Sequence, residues 1–289
     1  MKNILEYILF VSFSWIFRLF GLRISRKFAS ILALLFFYII PIRKNVTIDN
    51  LKHAFPEYTD KKIKEIAFNC YTSFGITLIE ILCLPWLDES DMKNAVSNFE
   101  IDLIQKKYDE GNGLIFLSAH LGNWEYLAAS AGLQIGKKVS IIVKPQRNPY
   151  VNNWMNRNRI KWTNEVVPLG ISIRNIYTVL LKKGIVALLA DQRGPKDSIK
   201  LNFFGRLTSV YTGPAALSLK SHAPIVYVII SRQKDYSYKA EVTEIDGNNL
   251  PENFDEKVKV LSERCLIYLE NVIRKYPEQW LWMHNRWKH

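Results

Sequence analysis

The apolar positions fall into three regimes along the chain. Residues 1–42 hold two nearly continuous apolar runs, 7–17 and 28–42, separated by Arg18, Arg23, Arg26 and Lys27. Neither run reaches the roughly 18 uncharged residues of a clear spanning helix. No small-x-small cleavage site precedes Arg23, and apolar character resumes directly after the basic cluster, which argues against a cleaved leader. The pattern predicts a membrane-associated helical segment over residues 1–42, either spanning the bilayer or lying in its interface. If residues 4–21 span, the basic cluster belongs on the cytoplasmic side.

Residues 60–84 form the second regime. Ile63, Ile66, Ala67, Cys70, Phe74, Leu78, Ile81 and Leu82 recur at three- and four-residue spacing, which predicts a helix. In the third regime short, solidly apolar runs appear at 113–119 (GLIFLSA), 139–143 (VSIIV), 185–190 (IVALLA) and 224–231 (PIVYVIIS). Continuous rather than alternating apolar character is expected of strands covered on both faces. Helix-like stretches lie between them near 123–135, 149–162, 172–183 and 213–222, and 255–276 reads as a closing helix. Residues 239–245 (KAEVTEI) alternate and suit an edge strand. Strands alternating with helices predict a single α/β domain over 43–289, with a mainly parallel sheet flanked by helices and preceded by the 1–42 anchor.

Composition narrows the function classes. With 48% hydrophobic residues in 289, the chain can build a sizeable core, which excludes disorder and disulfide-stapled miniproteins. The three cysteines, Cys70, Cys83 and Cys265, are far apart and form no C-x-x-C pair, so no disulfide framework or thiolate zinc site is indicated. The net charge of +12 calls for an anionic partner: nucleic acid, a membrane surface, or an acidic substrate or protein. Gly111-Asn112-Gly113 begins like a dinucleotide fingerprint, but Phe116 replaces the third glycine and the pair precedes a strand. There is no Walker A loop or G-x-S-x-G elbow, and the five histidines are scattered, so cofactor-free and metal-free chemistry is the expectation.

One stretch carries a chemical pattern: Ser118-Ala119-His120-Leu121-Gly122-Asn123-Trp124-Glu125. It puts His120 at the carboxyl end of a strand, where open α/β sheets bind ligands. Glu125 falls in the first turn of the next helix, and a turn at Leu121-Gly122 would let its carboxylate bend back to the imidazole. A carboxylate on one ring nitrogen fixes the tautomer and frees the other nitrogen to take a proton from a hydroxyl. A structural histidine and a dipole-stabilising glutamate are the competing readings. From Tyr126 to Asn164 there is no acid but seven bases, including Lys144, Arg147 and Arg159, a one-sign field suited to a phosphorylated substrate or an acidic carrier protein.

The His120/Glu125 spacing, H-x-x-x-x-E, resembles the signature of glycerolipid acyltransferases and of bacterial lipid A secondary acyltransferases. Further blocks follow in the same order: Asn50-Leu51 with Ala54-Phe55-Pro56-Glu57; Lys144-Pro145 with Asn148-Pro149 and Arg159; Ala190-Asp191-Gln192; Phe203-Phe204-Gly205 with Thr212-Gly213-Pro214; and Pro277-Glu278-Gln279-Trp280 running to His284-Asn285-Arg286-Trp287. The resemblance covers roughly residues 45–289 and departs from the pattern at Lys144, where arginine is common, and at Asn285, where a base is common.

This resemblance implies direct acyl transfer. His120, assisted by Glu125, would deprotonate an acceptor hydroxyl, which attacks the thioester of an acyl carrier protein or acyl-CoA. Lys144, Arg147, Arg159, Asp191, Gln192 and Arg193 become the expected substrate-binding set, with Arg159 on phosphate or oxyanion and Asp191 orienting Arg159 or binding the acceptor. The implied acceptor is an anionic lipid or glycolipid, foremost a lipid A precursor. The implied location is the bacterial inner membrane with the catalytic part on the cytoplasmic side, and no nucleic acid is expected. Another glycolipid, a lysophospholipid or an aminolipid is the alternative acceptor. The competing non-enzymatic class is a basic scaffold or nucleic-acid-binding protein.

Overall fold

The computed structural model describes residues 1–170 and 173–288. Helix α1 (Lys2–Ser25), kinked at Gly21, is followed by α2 (Phe28–Leu34), which continues as a π-helical turn over Leu35–Ile39; both pack against the fourth helix. Then come α3 (Lys44–Ala54), α4 (Asp60–Cys83), α5 (Glu89–Ala95), the two-residue β1 (Val96–Ser97) and α6 (Ile101–Asp109). The alternating part runs β2 (Leu114–Ser118), α7 (Trp124–Ile135), β3 (Val139–Val143), α8 (Pro149–Arg159), β4 (Glu165–Pro168), α9 (Ile173–Leu181) and β5 (Ile185–Leu189). A small hairpin, β6 (Lys200–Phe203) and β7 (Arg206–Ser209), precedes α10 (Gly213–Ser221), β8 (Ile225–Arg232), β9 (Tyr238–Glu244) and α11 (Phe254–Lys275).

Seven strands make one sheet in the order β1-β9-β8-β2-β5-β3-β4. Among the described residues, the β8–β9 pair is the only antiparallel one in this sheet. The protein is therefore α/β with a mainly parallel sheet between helical layers. Strand β2 is central, with β5 on one side and β8 on the other. All five of its residues are buried, because alternate side chains enter different cores. Ile115 and Leu117 join the core formed with α3, α4 and α11, whereas Leu114 and Phe116 join the one formed with α5, α6 and α7. This two-sided burial is the physical reason for the unbroken apolar runs.

The expected elements are largely where the pattern put them, with strands at 114–118, 139–143, 185–189 and 225–232. The expected helix over 172–183 is observed from Ile173, and Ser172 lies outside the described residues. Thr59 caps α4 by accepting a hydrogen bond from the Lys62 N–H. Helix α10 begins at Gly213 with Pro214 in its first turn, as read, but the Thr212 side chain makes no capping bond. One placement differs: the strand expected at the edge, now β9, is next to last, because Val96 and Ser97 pair beyond it. Helix α6, strand β4 and the β6–β7 hairpin went unpredicted. The strands among them are four residues long and only partly buried, too short to develop a period.

Candidate functional site

Because β2, β5 and β3 are parallel, their carboxyl ends share one edge of the sheet. That edge collects His120 just past β2, Asp191 and Gln192 just past β5, and Lys144 just past β3. The loop after β2 turns sharply at Gly122, whose φ is 61°. A Cβ there would lie 2.1 Å from the Ile230 carbonyl oxygen, so the close approach of β8 admits only glycine. Asn123 then caps α7 by accepting from the Tyr126 N–H at 3.0 Å. The C-terminal segment holds the same loop. Leu281 N–H donates to His120 O at 3.0 Å, and Gly122 N–H donates to Gln279 O at 3.1 Å.

The carboxylate on the imidazole is Asp191, not Glu125. Asp191 Oδ1 lies 2.7 Å from His120 Nδ1, and Asp191 Oδ2 accepts from the His120 backbone N–H at 2.9 Å. Trp280 Nε1 donates to the same Oδ2 at 2.9 Å. Asp191 is 2% exposed, whereas the His120 side chain is 20% exposed. A carboxylate can only accept, so this contact assigns the Nδ1–H tautomer to the neutral ring and leaves Nε2 with its lone pair. The Gln192 side-chain nitrogen lies 3.4 Å from that Nε2, and the Trp124 ring packs against the imidazole with centroids 5.0 Å apart.

Burial by itself would lower the His120 pKa, but the charge and hydrogen bond of Asp191, with the more remote charge of Glu125, outweigh it and hold the ring above its usual value. Burial would likewise raise Asp191. The His120 charge, its two hydrogen bonds and the Trp280 indole overcome that and keep the carboxyl below its ordinary range. The two shifts describe one arrangement, a buried carboxylate that stabilises an imidazolium.

Glu125, expected to hold the imidazole, is buried in a fork with Arg159. Arg159 Nε donates to Oε2 at 2.8 Å and Nη2 donates to Oε1 at 2.7 Å, while Nη1 donates to Asn156 at 3.0 Å. Both side chains are less than a tenth exposed. The expected contact between Asp191 and Arg159 is not made either. The reason is geometric: the first turn of α7 points Glu125 at α8, and the fork consumes the guanidinium that sequence reasoning assigned to phosphate. Breaking a buried pair by removing one partner costs about 3–5 kcal/mol. Glu125→Ala is therefore expected to lower stability by that amount, with a large share regained by adding Arg159→Met. Equal destabilisation of the single and double variants in urea melts would show that the two charges are not coupled.

Of the remaining expected residues, Lys144 and Arg147 are exposed on the loop between β3 and α8, and Gln192 and Arg193 are half-buried after β5. The tail beyond α11 supplies residues that sequence reasoning assigned to packing. His284 is neutral, lowered to about 4 chiefly by burial. Arg286 is fully buried, donating to Ser209 O at 2.7 Å and Thr208 Oγ1 at 2.9 Å.

A second buried carboxylate underlies the loop and was missed. Glu80 on α4 accepts from Arg26 Nε at 2.8 Å, from Asn123 Nδ2 at 2.8 Å and from Tyr238 Oη at 2.5 Å. The signal was available: Glu80 is the one acid in the apolar stretch 74–86. A buried carboxylate needs this many donors to offset its lost hydration.

The H-x-x-x-x-E loop at the mouth of a parallel sheet, its histidine paired with a carboxylate from the end of a neighbouring strand, is an arrangement able to hold a general base. The sequence profile described as bacterial lipid A biosynthesis acyltransferase matches residues 2–289. The chain belongs to that family. It is 24% identical over 254 residues to the lipid A biosynthesis palmitoleoyltransferase of Escherichia coli K12, covering 85% of this chain and 79% of the relative. The lipid A biosynthesis acyltransferase of Shigella flexneri matches to the same extent. A phosphatidylinositol mannoside acyltransferase of Mycolicibacterium smegmatis is 21% identical over 212 residues, covering 72% of this chain and 67% of that protein.

Proposed function

We propose that this acyltransferase works at a membrane, moving a fatty acyl chain from the thioester of an acyl carrier protein or acyl-CoA to a hydroxyl of a lipid A precursor. The observation that carries the reading is the Asp191–His120 contact, which leaves Nε2 facing the partly open mouth of the sheet. Nε2 takes the acceptor's hydroxyl proton as the oxygen attacks the thioester carbonyl. Collapse of the tetrahedral intermediate forms the ester and breaks the C–S bond, and the imidazolium returns its proton to the departing thiolate. No covalent acyl-enzyme is required. Asp191 stabilises the imidazolium between these steps. The Gln192 amide is the polar group beside the transferring proton. Lys144 and Arg147, exposed at the same edge, supply positive charge for acceptor phosphates or an acidic carrier. Glu125 acts indirectly, locking α7 against α8 through Arg159.

Two small gaps, too narrow for an acyl chain as they stand, lie in the apolar packing on this side of the sheet. One is bounded by Leu117, Ala190, Pro214, Tyr227 and Leu269, the other by Phe74, Trp124, Trp280 and Leu281. The mannoside relative supports a second reading, in which the acceptor is another glycolipid.

Membranes containing the protein, given labelled acyl carrier protein or acyl-CoA and a panel of acceptors, distinguish these cases. Label is expected in the lipid A precursor, and mass spectrometry of cellular lipids should lose one acyl increment when the protein is removed. Label in a lysophospholipid or mannoside instead would reassign the acceptor. No transfer from either donor to any acceptor would sink the reading.

A further inference from the structure

We infer that α1 does not cross the bilayer but lies along one leaflet, so that the whole chain sits on a single side of the membrane. The inference rests on the membrane reading of the proposed function and concerns how that membrane is met. By length α1 could nearly span: its continuous part, residues 2–20, rises roughly 28 Å against a hydrocarbon core of about 30 Å before the chain kinks at Gly21, whose φ is 70°. Its contacts forbid it.

Near the helix start, Asn148 Nδ2 donates to Asn3 O at 2.8 Å and to Glu6 at 3.1 Å, and the Phe10 ring meets Trp154 at 4.9 Å. Midway, Ser14 Oγ donates to Leu82 O at 2.5 Å and accepts from Trp86 Nε1 at 3.1 Å. Directly past its end, Arg26 pairs with Glu80 at 2.7 Å. The helix is thus fastened from beginning to end along the catalytic body. Its first half is fastened to α8, whose sequence PYVNNWMNRNR carries four asparagines and two arginines. A spanning α1 would drag the exposed polar face of α8, with the charge of Arg157, into hydrocarbon, where unsatisfied polar and charged groups are rare and costly. Helix α4, long and apolar enough to span, is two-thirds buried in protein over its apolar window and carries Glu80, so it is a core helix.

The side of α1 turned away from the body is apolar and open, with Leu5, Ile8, Leu9 and Leu19 more than half exposed, and the α2 arm continues it through Ile31 and Ile39. Residues 1–48 contain seven bases and one acid, Glu6. An apolar strip bordered by cations matches one leaflet with anionic headgroups, and the occupant we assign is that leaflet.

The three native cysteines are buried, so introduced ones can be read against a quiet background. Full-length Lys2→Cys and Lys196→Cys proteins, in sealed vesicles of both orientations, are treated with a membrane-impermeant maleimide. Both positions are expected to label in the same orientation. Labelling from opposite sides, with the protein still sedimenting with membrane, would overturn the in-plane assignment alone and leave the membrane reading standing. Absence from the membrane fraction would overturn both. Ile8→Glu with Leu19→Glu should release most of the protein into the soluble fraction with its circular dichroism unchanged. Undiminished retention, or loss of a dimer in place of membrane binding, would also overturn the assignment.

Discussion

Replacing His120 with alanine is expected to lower turnover by about 10³-fold while the protein stays folded and membrane-bound. General-base catalysis contributes on the order of 10²- to 10⁴-fold, and among the described residues no other side chain stands where Nε2 does with a carboxylate behind it. The folded state loses less. Asp191 keeps the His120 backbone N–H and the Trp280 indole, two of its three hydrogen bonds. The deficit should be about 1–3 kcal/mol, the cost of one lost partner on a buried charged group. Steady-state rates on membranes, with a thermal melt of the same sample, check both halves. Near-native turnover would remove His120 from the reaction.

Asp191→Asn is expected to be nearly as severe, for a reason specific to this geometry. An asparagine can place its carbonyl oxygen where Oδ2 accepts two hydrogen bonds, but its NH2 then faces His120 Nδ1. The ring must accept there, which moves its proton to Nε2 and abolishes the base. Turnover should fall roughly 10²- to 10³-fold with little change in apparent acceptor affinity. The pH profile separates this from a structural defect. In the proposed mechanism the neutral ring is the active form, and its folded pKa is raised above 6.5, so wild-type rates are expected to decline as pH falls through that raised value. Removing the Asp191 charge removes the largest raising influence, so the acid limb of the residual activity should shift to lower pH. An unshifted limb would mean that Asp191 does not set the ionisation of His120. Glu125→Gln, by contrast, leaves the Nδ1 contact in place, and its main effect should appear in stability.

The two carboxylates mark where sequence reasoning stopped. The order of the α/β elements was legible because burial on both faces of a strand writes an unbroken apolar run, and β2, β3, β5 and β8 are such runs. His120 was legible from its place after the first of them. Which acid serves it was not. Spacing along the chain favoured Glu125, five residues away, over Asp191, seventy-one residues away. The parallel pairing of β2 with β5 reverses that order, because it brings their carboxyl ends side by side. Arg159 was drawn from the same basic field as Lys144 and Arg147. That field is a property of composition, and it could not separate a guanidinium forked onto a buried glutamate from two cations left in solvent.

By itself, then, the sequence determined the periodicities: a mainly parallel sheet, a histidine at the carboxyl edge of it, an apolar N-terminal helical segment and the family to which these belong. Tertiary structure decided the partners. It put Asp191 on the imidazole, tied Glu125 to Arg159, set Glu80 beneath the loop that carries His120 and laid α1 along the body. The physical reason is one of range. Hydrophobic period is a local property, read over a dozen residues. A buried charge is satisfied by whichever donor the fold brings within 3 Å, and that donor is fixed only when distant strands and helices pack.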